Sequence, residues 1–242
     1  MNLVIDIGNT RVKWALFRDR ELVTQDSAPE LTLHVLGQII GDFHDVKLAI
    51  LSSVKEFPKE CRDLLTEVTD LFIELNHNTP TPIVNRYRTP ETLGLDRLAA
   101  AIGASTAFPG DPLLIIDAGT AITIDLVSPA NEYLGGNISP GIETRFRALN
   151  QFTGKLPLIQ LKNDFEPLGG DTESAIRAGV QQGVIFELES YIAHYKKVYP
   201  ELVVVLTGGH SNFLMKHIGA ELKQIENLTL TGLLEILMFN AS

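Results

Sequence analysis

Residues 3–17 read LVIDIGNTRVKWALF. Two apolar runs rich in β-branched residues flank Gly8, Asn9 and Thr10. Glycine beside asparagine between such runs is a strong short-range hairpin signal. We therefore predict two antiparallel strands joined by a tight turn.

Asp6 is a carboxylate inside the first apolar run. Such a group must be hydrogen-bonded, metal-bound or protonated, because a bare buried carboxylate costs several kcal/mol. It stands just before the turn, where Gly8 lets the main chain approach phosphate oxygens. Thr10 adds a hydroxyl, and Arg11 and Lys13 add positive charge on one face of the strand. We expect this turn to hold a phosphate-bearing ligand.

The same pattern recurs over residues 113–127, which read LLIIDAGTAITIDLV. Asp117, Gly119 and Thr120 again lie between two apolar runs, with one residue fewer in the turn. A duplicated half is the simplest explanation. Two such hairpins could grip both ends of a polyphosphate with its metal ion between them. The repeat predicts two domains, 1–111 and 112–242.

Composition limits the function classes. The chain has 45% hydrophobic and 21% charged residues and a formal net charge of −10, and its 20 basic residues form no cluster. We therefore expect no nucleic-acid partner. Cys61 stands alone, which indicates a reducing compartment. No apolar leader opens the sequence and no run reaches the ~20 residues of a membrane helix, so we expect a cytoplasmic protein without a membrane partner.

Hydrophobic periodicity predicts an α/β fold. After the first hairpin we expect a third strand at 21–25, and the second half should end in an apolar helix over 228–239. Between these, the pattern predicts strands at 46–52, 71–75 and 202–206 and helices at 31–43, 58–68, 98–104, 143–152 and from 171 or 172 to 197. The long last helix has a four-residue apolar ladder of Ile176, Val180, Val184, Leu188 and Ile192.

Asp96 stands with Gly94 at the start of the alanine-rich helix. One interpretation makes Asp96 an N-cap, a position where aspartate is strongly preferred. The other makes it the acceptor of a proton from a substrate hydroxyl, with Arg97 binding an anionic group. A helix N-terminus keeps a carboxylate ionised, so Asp96 would be a weak but well-oriented acceptor.

Three further stretches carry alternatives. Residues 135–141 contain three glycines and a proline, which predicts either a loop that approaches a ligand or a structural turn. Thr172 is either a helix cap or a hydroxyl that points into the site. Gly208 and Gly209 follow a strand, where nucleotides commonly lie in α/β proteins. His210 is assigned no role.

The order of the first elements, three strands followed by helix, strand, helix and strand, resembles the ribonuclease-H-like half found in actin, Hsp70 chaperones and sugar and acetate kinases. Six motifs, in the same order, resemble those of type III pantothenate kinases. They are Asp6-x-Gly8-Asn9-Thr10-x-x-Lys13, Gly94-x-Asp96-Arg97, Asp117-x-Gly119-Thr120-Ala121, Gly135-Gly136-x-Ile138-x-Pro140-Gly141, Gly170-x-Thr172 and Thr207-Gly208-Gly209.

This resemblance implies two ribonuclease-H-like, actin-like ATPase domains with a cleft between them. It implies a homodimer that phosphorylates pantothenate with ATP, the first step of coenzyme A biosynthesis. Mg²⁺ and a monovalent cation, K⁺ or NH₄⁺, would be required, with Asp6 and Asp117 as the metal-binding residues. The ATP-binding residues would be Asp6, Ile7, Gly8, Asn9, Thr10, Arg11, Val12, Lys13 and Thr120. Pantothenate would be held by Tyr87, Gly94, Leu95, Asp96, Arg97 and Thr172, with Asp96 as the catalytic proton acceptor. Leu95 stands where the family often has alanine.

Other functions remain open from the sequence. One is another small-molecule phosphotransferase or an ATPase switch on the same fold. A second is a catalytically silent, nucleotide-responsive regulator, a transcription accessory factor. Asp96 and Arg97 are both present, which favours catalysis. A ribonuclease would need a cluster of carboxylates for two metals, and only Asp6 and Asp117 are obvious.

Overall fold

The computed structural model describes residues 1–43 and 45–241. The strands are β1 (Asn2–Ile7), β2 (Val12–Arg18), β3 (Glu21–Ala28), β4 (Leu48–Ser53), β5 (Leu71–Glu74), β6 (Val84–Asn85), β7 (Leu113–Ala118), β8 (Ala121–Val127), β9 (Glu132–Pro140), β10 (Val203–Thr207) and β11 (Lys223–Gln224). The helices are α1 (Leu33–Asp42), α2 (Lys59–Val68), α3 (Leu95–Ala107), α4 (Ile142–Phe152), α5 (Thr172–Val198), α6 (Ser211–His217) and α7 (Leu228–Ala241).

The chain divides into two compact units. The first contains residues 1–109, the short stretch Asn131–Tyr133 and the C-terminal residues from Asn227 onward. The second contains Gly110–Ala130 and Leu134–Glu226. These units differ in extent from the ranges 1–111 and 112–242, because α7 belongs with the N-terminal part of the chain.

Close packing of α7 on α3 explains that placement. A Cβ atom added at Gly232 would collide with the carbonyl oxygen of Ala99, and one at Gly103 would lie 2.5 Å from the carbonyl oxygen of Leu228. Only glycine permits backbones to approach this closely. The predicted C-terminal helix thus completes the core of the first unit.

The first unit contains a five-stranded sheet in the order β3-β2-β1-β4-β5. β1 pairs antiparallel with β2 and parallel with β4, which places Asp6 opposite Lys13 on one side and Ser52 on the other. Alternate residues of β1, including Leu3, Ile5 and Ile7, are buried in one apolar core with α1 and α2. The predicted hairpin and the element order that follows it are confirmed.

In the second unit the sheet runs β11-β10-β7-β8-β9, and β6 pairs with the first residues of β9 within the first unit. β7 and β8 form the second hairpin, so the predicted repeat is confirmed. The register pairs Ile7 with Val12 and Ala118 with Ile122. The first turn therefore holds residues 8–11 and the second 119–121, which is one residue fewer, as predicted.

Two sequence predictions about the second unit have different outcomes. The ladder on α5 is confirmed, because all five of its apolar residues are buried in the core of this unit. The predicted loop at 135–141 is wrong, because residues through Pro140 belong to β9. Here glycine permits a close approach between strands: a Cβ atom at Gly136 would collide with the carbonyl oxygen of Ile124 and the carboxylate of Asp125.

Among the described helices, none combines the length and hydropathy that crossing a bilayer would require.

Candidate functional site

The tip of the first hairpin closes on itself. The amide of Gly8 donates to the carbonyl oxygen of Arg11 at 3.0 Å, and Asn9 and Thr10 are exposed between them. Ile7 and Val12 are buried in the core, so only their main chain faces the turn. The exposed part of the tip therefore offers main-chain groups and two short polar side chains.

Charged residues flank this tip in different ways. Asp6 is half-buried at the end of β1, and its cross-strand neighbour Lys13 is exposed. The guanidinium of Arg11 donates to the hydroxyl of Ser27 at 3.1 Å and to its carbonyl oxygen at 3.2 Å. Arg11 is thus directed towards β3, and Asp6 and Lys13 are charged residues that face each other in the strand register next to the turn.

The tip of the second hairpin is held from outside. The carbonyl oxygen of Thr120 accepts hydrogen bonds from the amide of Gly141 at 3.0 Å and from the hydroxyl of Thr144 at 2.7 Å. A Cβ atom at Gly141 would collide with the carbonyl oxygen of Gly119. The side chain of Thr120 remains at an exposed position.

Asp117 lies at the carboxyl end of β7, next to the turn that follows β10. Gly208 has a φ of 92°, and a Cβ atom there would collide with a carboxylate oxygen of Asp117. The amide of His210 donates to the carbonyl oxygen of Ala118 at 3.0 Å. The structure therefore brings together two motifs, Asp117 and Gly208-Gly209, that are 91 residues apart in the sequence.

The donor set fits an ion that is bound together with a phosphate ligand. Among the described residues, no group of three or more His, Cys, Asp or Glu side chains could hold a metal ion. Mg²⁺ usually binds through one or two carboxylates, waters and substrate phosphates, which requires no such group. Asp6 and Asp117 each offer a carboxylate beside a glycine-containing turn, so both fit a hard cation.

The start of α3 places Asp96 inside the helix. Gly94 is the N-cap and Leu95 is the first helical residue, so the interpretation of Asp96 as N-cap is wrong. A carboxylate oxygen of Asp96 accepts from the amide of Arg97 at 2.8 Å. It folds back over Gly94, where an added Cβ atom would lie 2.5 Å away. The Gly-x-Asp spacing thus leaves room for a half-buried carboxylate in the first helical turn.

An aromatic and cationic cluster surrounds the same helix start. Arg97 is 6% exposed, and its guanidinium carbon lies 5.8 Å from the ring centre of Tyr87. The ring of Tyr87 lies 6.1 Å from that of Tyr133, which is fully buried. Four predicted residues, Tyr87, Gly94, Asp96 and Arg97, are therefore close together. Tyr133 was missed, because nothing in its local sequence connects it with α3.

Thr172 is the first residue of α5 and is exposed. The cap is Asp171, which accepts from the amide of Ser174 at 2.9 Å while its own amide donates to the hydroxyl of Ser174 at 3.0 Å. The backbone and side-chain hydrogen bonds from Ser174 hold the pKa of Asp171 below its ordinary value. The hydroxyl of Thr172 is thus not needed as a cap.

Comparison with known proteins gives one family. A family model described as type III pantothenate kinase matches residues 2–194. The type III pantothenate kinase of Phocaeicola vulgatus is 43% identical over 240 residues, which cover 99% of each chain.

Two solved structures share the fold. One, described as a Baf family transcriptional activator from Campylobacter jejuni, has a TM-score of 0.65 at 22% identity and covers 99% of this chain and 98% of that one. The other, described as an N-acetylmannosamine kinase from Listeria monocytogenes, has a TM-score of 0.55 at 14% identity and covers 100% and 99%. Both likenesses concern the fold alone, and they confirm the α/β class with two ribonuclease-H-like domains.

Proposed function

We propose that this chain, which belongs to the type III pantothenate kinase family, divides its reaction among three groups of residues. The chain is a kinase that transfers a phosphoryl group from ATP to the hydroxyl of pantothenate and so begins coenzyme A biosynthesis. The observation that carries the assignment of roles is the cluster at the start of α3. It combines a half-buried carboxylate, Asp96, with a buried cation, Arg97.

Asp96 accepts the proton of the reacting hydroxyl. The hydroxyl oxygen forms a bond to the terminal phosphorus of ATP, the bond from that phosphorus to the oxygen of ADP breaks, and the proton goes to a carboxylate oxygen of Asp96. Asp96 lies in the first turn of α3, at the end of the helix where the dipole attracts negative charge. A weak base suffices, because phosphoryl transfer has a loose transition state and depends mainly on positioning.

Pantothenate is held mainly by its carboxylate. Arg97 supplies the positive charge, and its contact with the ring of Tyr87 fixes the direction of the guanidinium. Gly94 and Leu95 form the wall at the helix start. Thr172, whose hydroxyl is exposed and not needed as a cap, is the remaining proposed pantothenate ligand. Binding of a carboxylate beside a buried guanidinium gives a charge-assisted interaction, which is stronger than one between neutral groups.

The proposed ATP-binding residues belong to the two hairpin tips. The segment from Asp6 to Lys13 binds its phosphates through main-chain amides, the hydroxyl of Thr10 and the charge of Lys13, and Thr120 contributes from the second tip. Asp6 would hold Mg²⁺, which neutralises phosphate charge when bound. Asp117, beside the Gly208 turn, would hold the monovalent cation, K⁺ or NH₄⁺.

The active form is a homodimer in the cytoplasm, where ATP is available. Support for an association surface comes from α5. Phe186 is 62% exposed on this helix. Within the described part of the chain, a Cβ atom at Gly179 or Gly183 would meet open space, so a second chain can approach there.

The deciding experiment is incubation of the purified protein with ATP, Mg²⁺ and pantothenate, with and without K⁺. We expect ADP and a phosphorylated acid in equal amounts, identified by mass spectrometry. Pantothenol, which keeps the hydroxyl but lacks the carboxylate, serves as the matched acceptor and should show a raised KM. Tight ATP binding without any phosphorylated product would instead indicate a silent regulator.

A further inference from the structure

The carbonyl oxygen of Thr120 has both of its acceptor positions filled. One hydrogen comes from the amide of Gly141 and the other from the hydroxyl of Thr144, at 3.0 and 2.7 Å. A carbonyl oxygen has two lone pairs, so these contacts satisfy it completely. The orientation of the peptide after Thr120 is therefore set by the first turn of α4 and not by the hairpin alone.

Arg145 fixes the backbone that carries these donors. Its Nε donates to the carbonyl oxygen of Pro140 at 2.7 Å, and one terminal nitrogen donates to the hydroxyl of Ser139 at 3.2 Å. The same nitrogen forms an ion pair of 2.5 Å with Glu187 of α5. The two side chains are only 22% and 25% exposed, so solvent screens this pair less than it would screen a pair on the open surface.

We infer that Gly141, Thr144 and Arg145 form a tip brace, a set of positioning residues that holds Thr120 in place for ATP. This inference rests on the proposed contact between Thr120 and ATP. The brace joins the end of β9, the start of α4 and the middle of α5 to a single carbonyl group. Without it, the exposed Thr120 would have to be ordered each time ATP binds, and that ordering costs free energy.

Thr144→Val tests the brace, because valine keeps the shape of threonine and removes the hydroxyl. We expect the Kd for ATP, measured by titration calorimetry without any acceptor, to rise about 2- to 10-fold, the equivalent of one net hydrogen bond. The KM for pantothenate should not change. Thr144→Ser restores the hydroxyl and should recover most of the affinity.

Thr153→Val is the matched control. Thr153 lies just after the last residue of α4, and its hydroxyl donates to the carbonyl oxygen of Leu149 at 2.7 Å, the same length as the bond made by Thr144. Unchanged ATP affinity in this variant, together with the loss in Thr144→Val, supports the brace. An equal loss in both variants, or none in Thr144→Val, overturns it.

Thr120→Ala separates the brace from the proposed ATP contact. If this variant binds ATP as tightly as the parent chain, the proposed role of the Thr120 side chain fails. If Thr120→Ala weakens binding, adding Thr144→Val should then cost less than it does alone, because both changes act on one contact. Full additivity of the two losses contradicts the brace while leaving the ATP contact in place. Because the ATP-binding measurement needs no acceptor, none of the Kd comparisons depends on pantothenate being the substrate.

Discussion

The two hairpins have the same pattern of strands, aspartate and glycine, but their tips are supported differently. The first tip is closed by its own hydrogen bond from Gly8 to Arg11 and carries exposed residues. The second tip is one residue shorter and is hydrogen-bonded to Gly141 and Thr144 outside the hairpin. One repeated motif thus gives a tip closed by its own hydrogen bond and a tip that is also hydrogen-bonded to the start of α4.

The glycines of the two hairpin regions differ in the same way as the tips. An added Cβ atom at Gly8 would meet only the carbonyl oxygen of Arg11 in the same turn, at 3.3 Å, whereas one at Gly141 or Gly208 would collide with other parts of the chain. Glycine thus lies in a local turn in the first hairpin and permits close packing of other segments around the second. Four experiments test this contrast.

The largest effect is expected from Asp96→Asn. This variant tests whether proton transfer depends on Asp96 in α3 while ATP binding depends on the hairpins. Asparagine keeps the shape of the side chain but cannot accept the proton, so turnover should fall about 100-fold or more. The Kd for ATP should not change, because the hairpin tips are intact. Glu60→Gln removes an acid from the first turn of α2 and is the control. Near-normal turnover in Asp96→Asn would make this carboxylate a structural group.

Gly141→Ala and Gly8→Ala compare the support of the two tips directly. At position 141 a methyl group would collide with the carbonyl oxygen of Gly119, so we expect the free energy of unfolding to fall by about 1–3 kcal/mol. At position 8 the methyl group would lie 3.3 Å from the carbonyl oxygen of Arg11, and the loss should stay below about 1 kcal/mol. Urea unfolding of both variants gives the comparison. Equal losses would mean that both tips are equally constrained.

Exchange of K⁺ for Na⁺ distinguishes the aspartates of the two hairpins. We expect a several-fold lower rate in Na⁺, which follows from the proposal that Asp117 holds K⁺ or NH₄⁺. Asp117→Asn should remove most of the difference between the salts, whereas Asp6→Asn should weaken the dependence on Mg²⁺ instead. Steady-state rates at matched ionic strength provide the measurement. Identical rates of the parent chain in both salts would refute the role of Asp117.

The smallest effect is expected from Asp171→Asn, at the start of the helix that carries Glu187. The hydrogen bonds from Ser174 lower the pKa of Asp171, so its stabilising effect is present above the ordinary aspartate pKa. That contribution is lost as the pH falls below about 4 and through the lowered pKa. The variant should therefore lose less stability in acid than the parent chain, measured as the melting temperature against pH. Asp164→Asn, at an exposed aspartate before α5, is the control, and identical acid slopes for all three proteins would contradict the expectation.

Much of the fold followed from local patterns. Both hairpins and the ladder on α5 were predictable, because burial on one face imposes a period of two on strands and about four on helices. β9 was not predictable, because its glycines are typical of a loop. Their role in the strand depends on the close contact between Gly136 and β8. α7 was recognised as a helix, but its assignment to the first unit depends on contacts with α3.

The candidate site likewise contains residues that the sequence predicted and residues that only the structure revealed. Residue types and spacing made Asp6, Asp96 and Asp117 candidates, because each is a carboxylate beside a glycine-containing turn or a helix start. Tyr133 and the tip brace were not predictable, because each acts on a residue far from it along the chain.

The sequence by itself determined the elements, the repeat and the acidic residues, because these depend on neighbours along the chain. Only the tertiary structure decided what surrounds them: which glycines pack against distant parts of the chain, and that the start of α4 supports the second tip. The physical reason is that a hydrogen bond or a close backbone approach depends on distance in space, and separation along the sequence does not fix that distance.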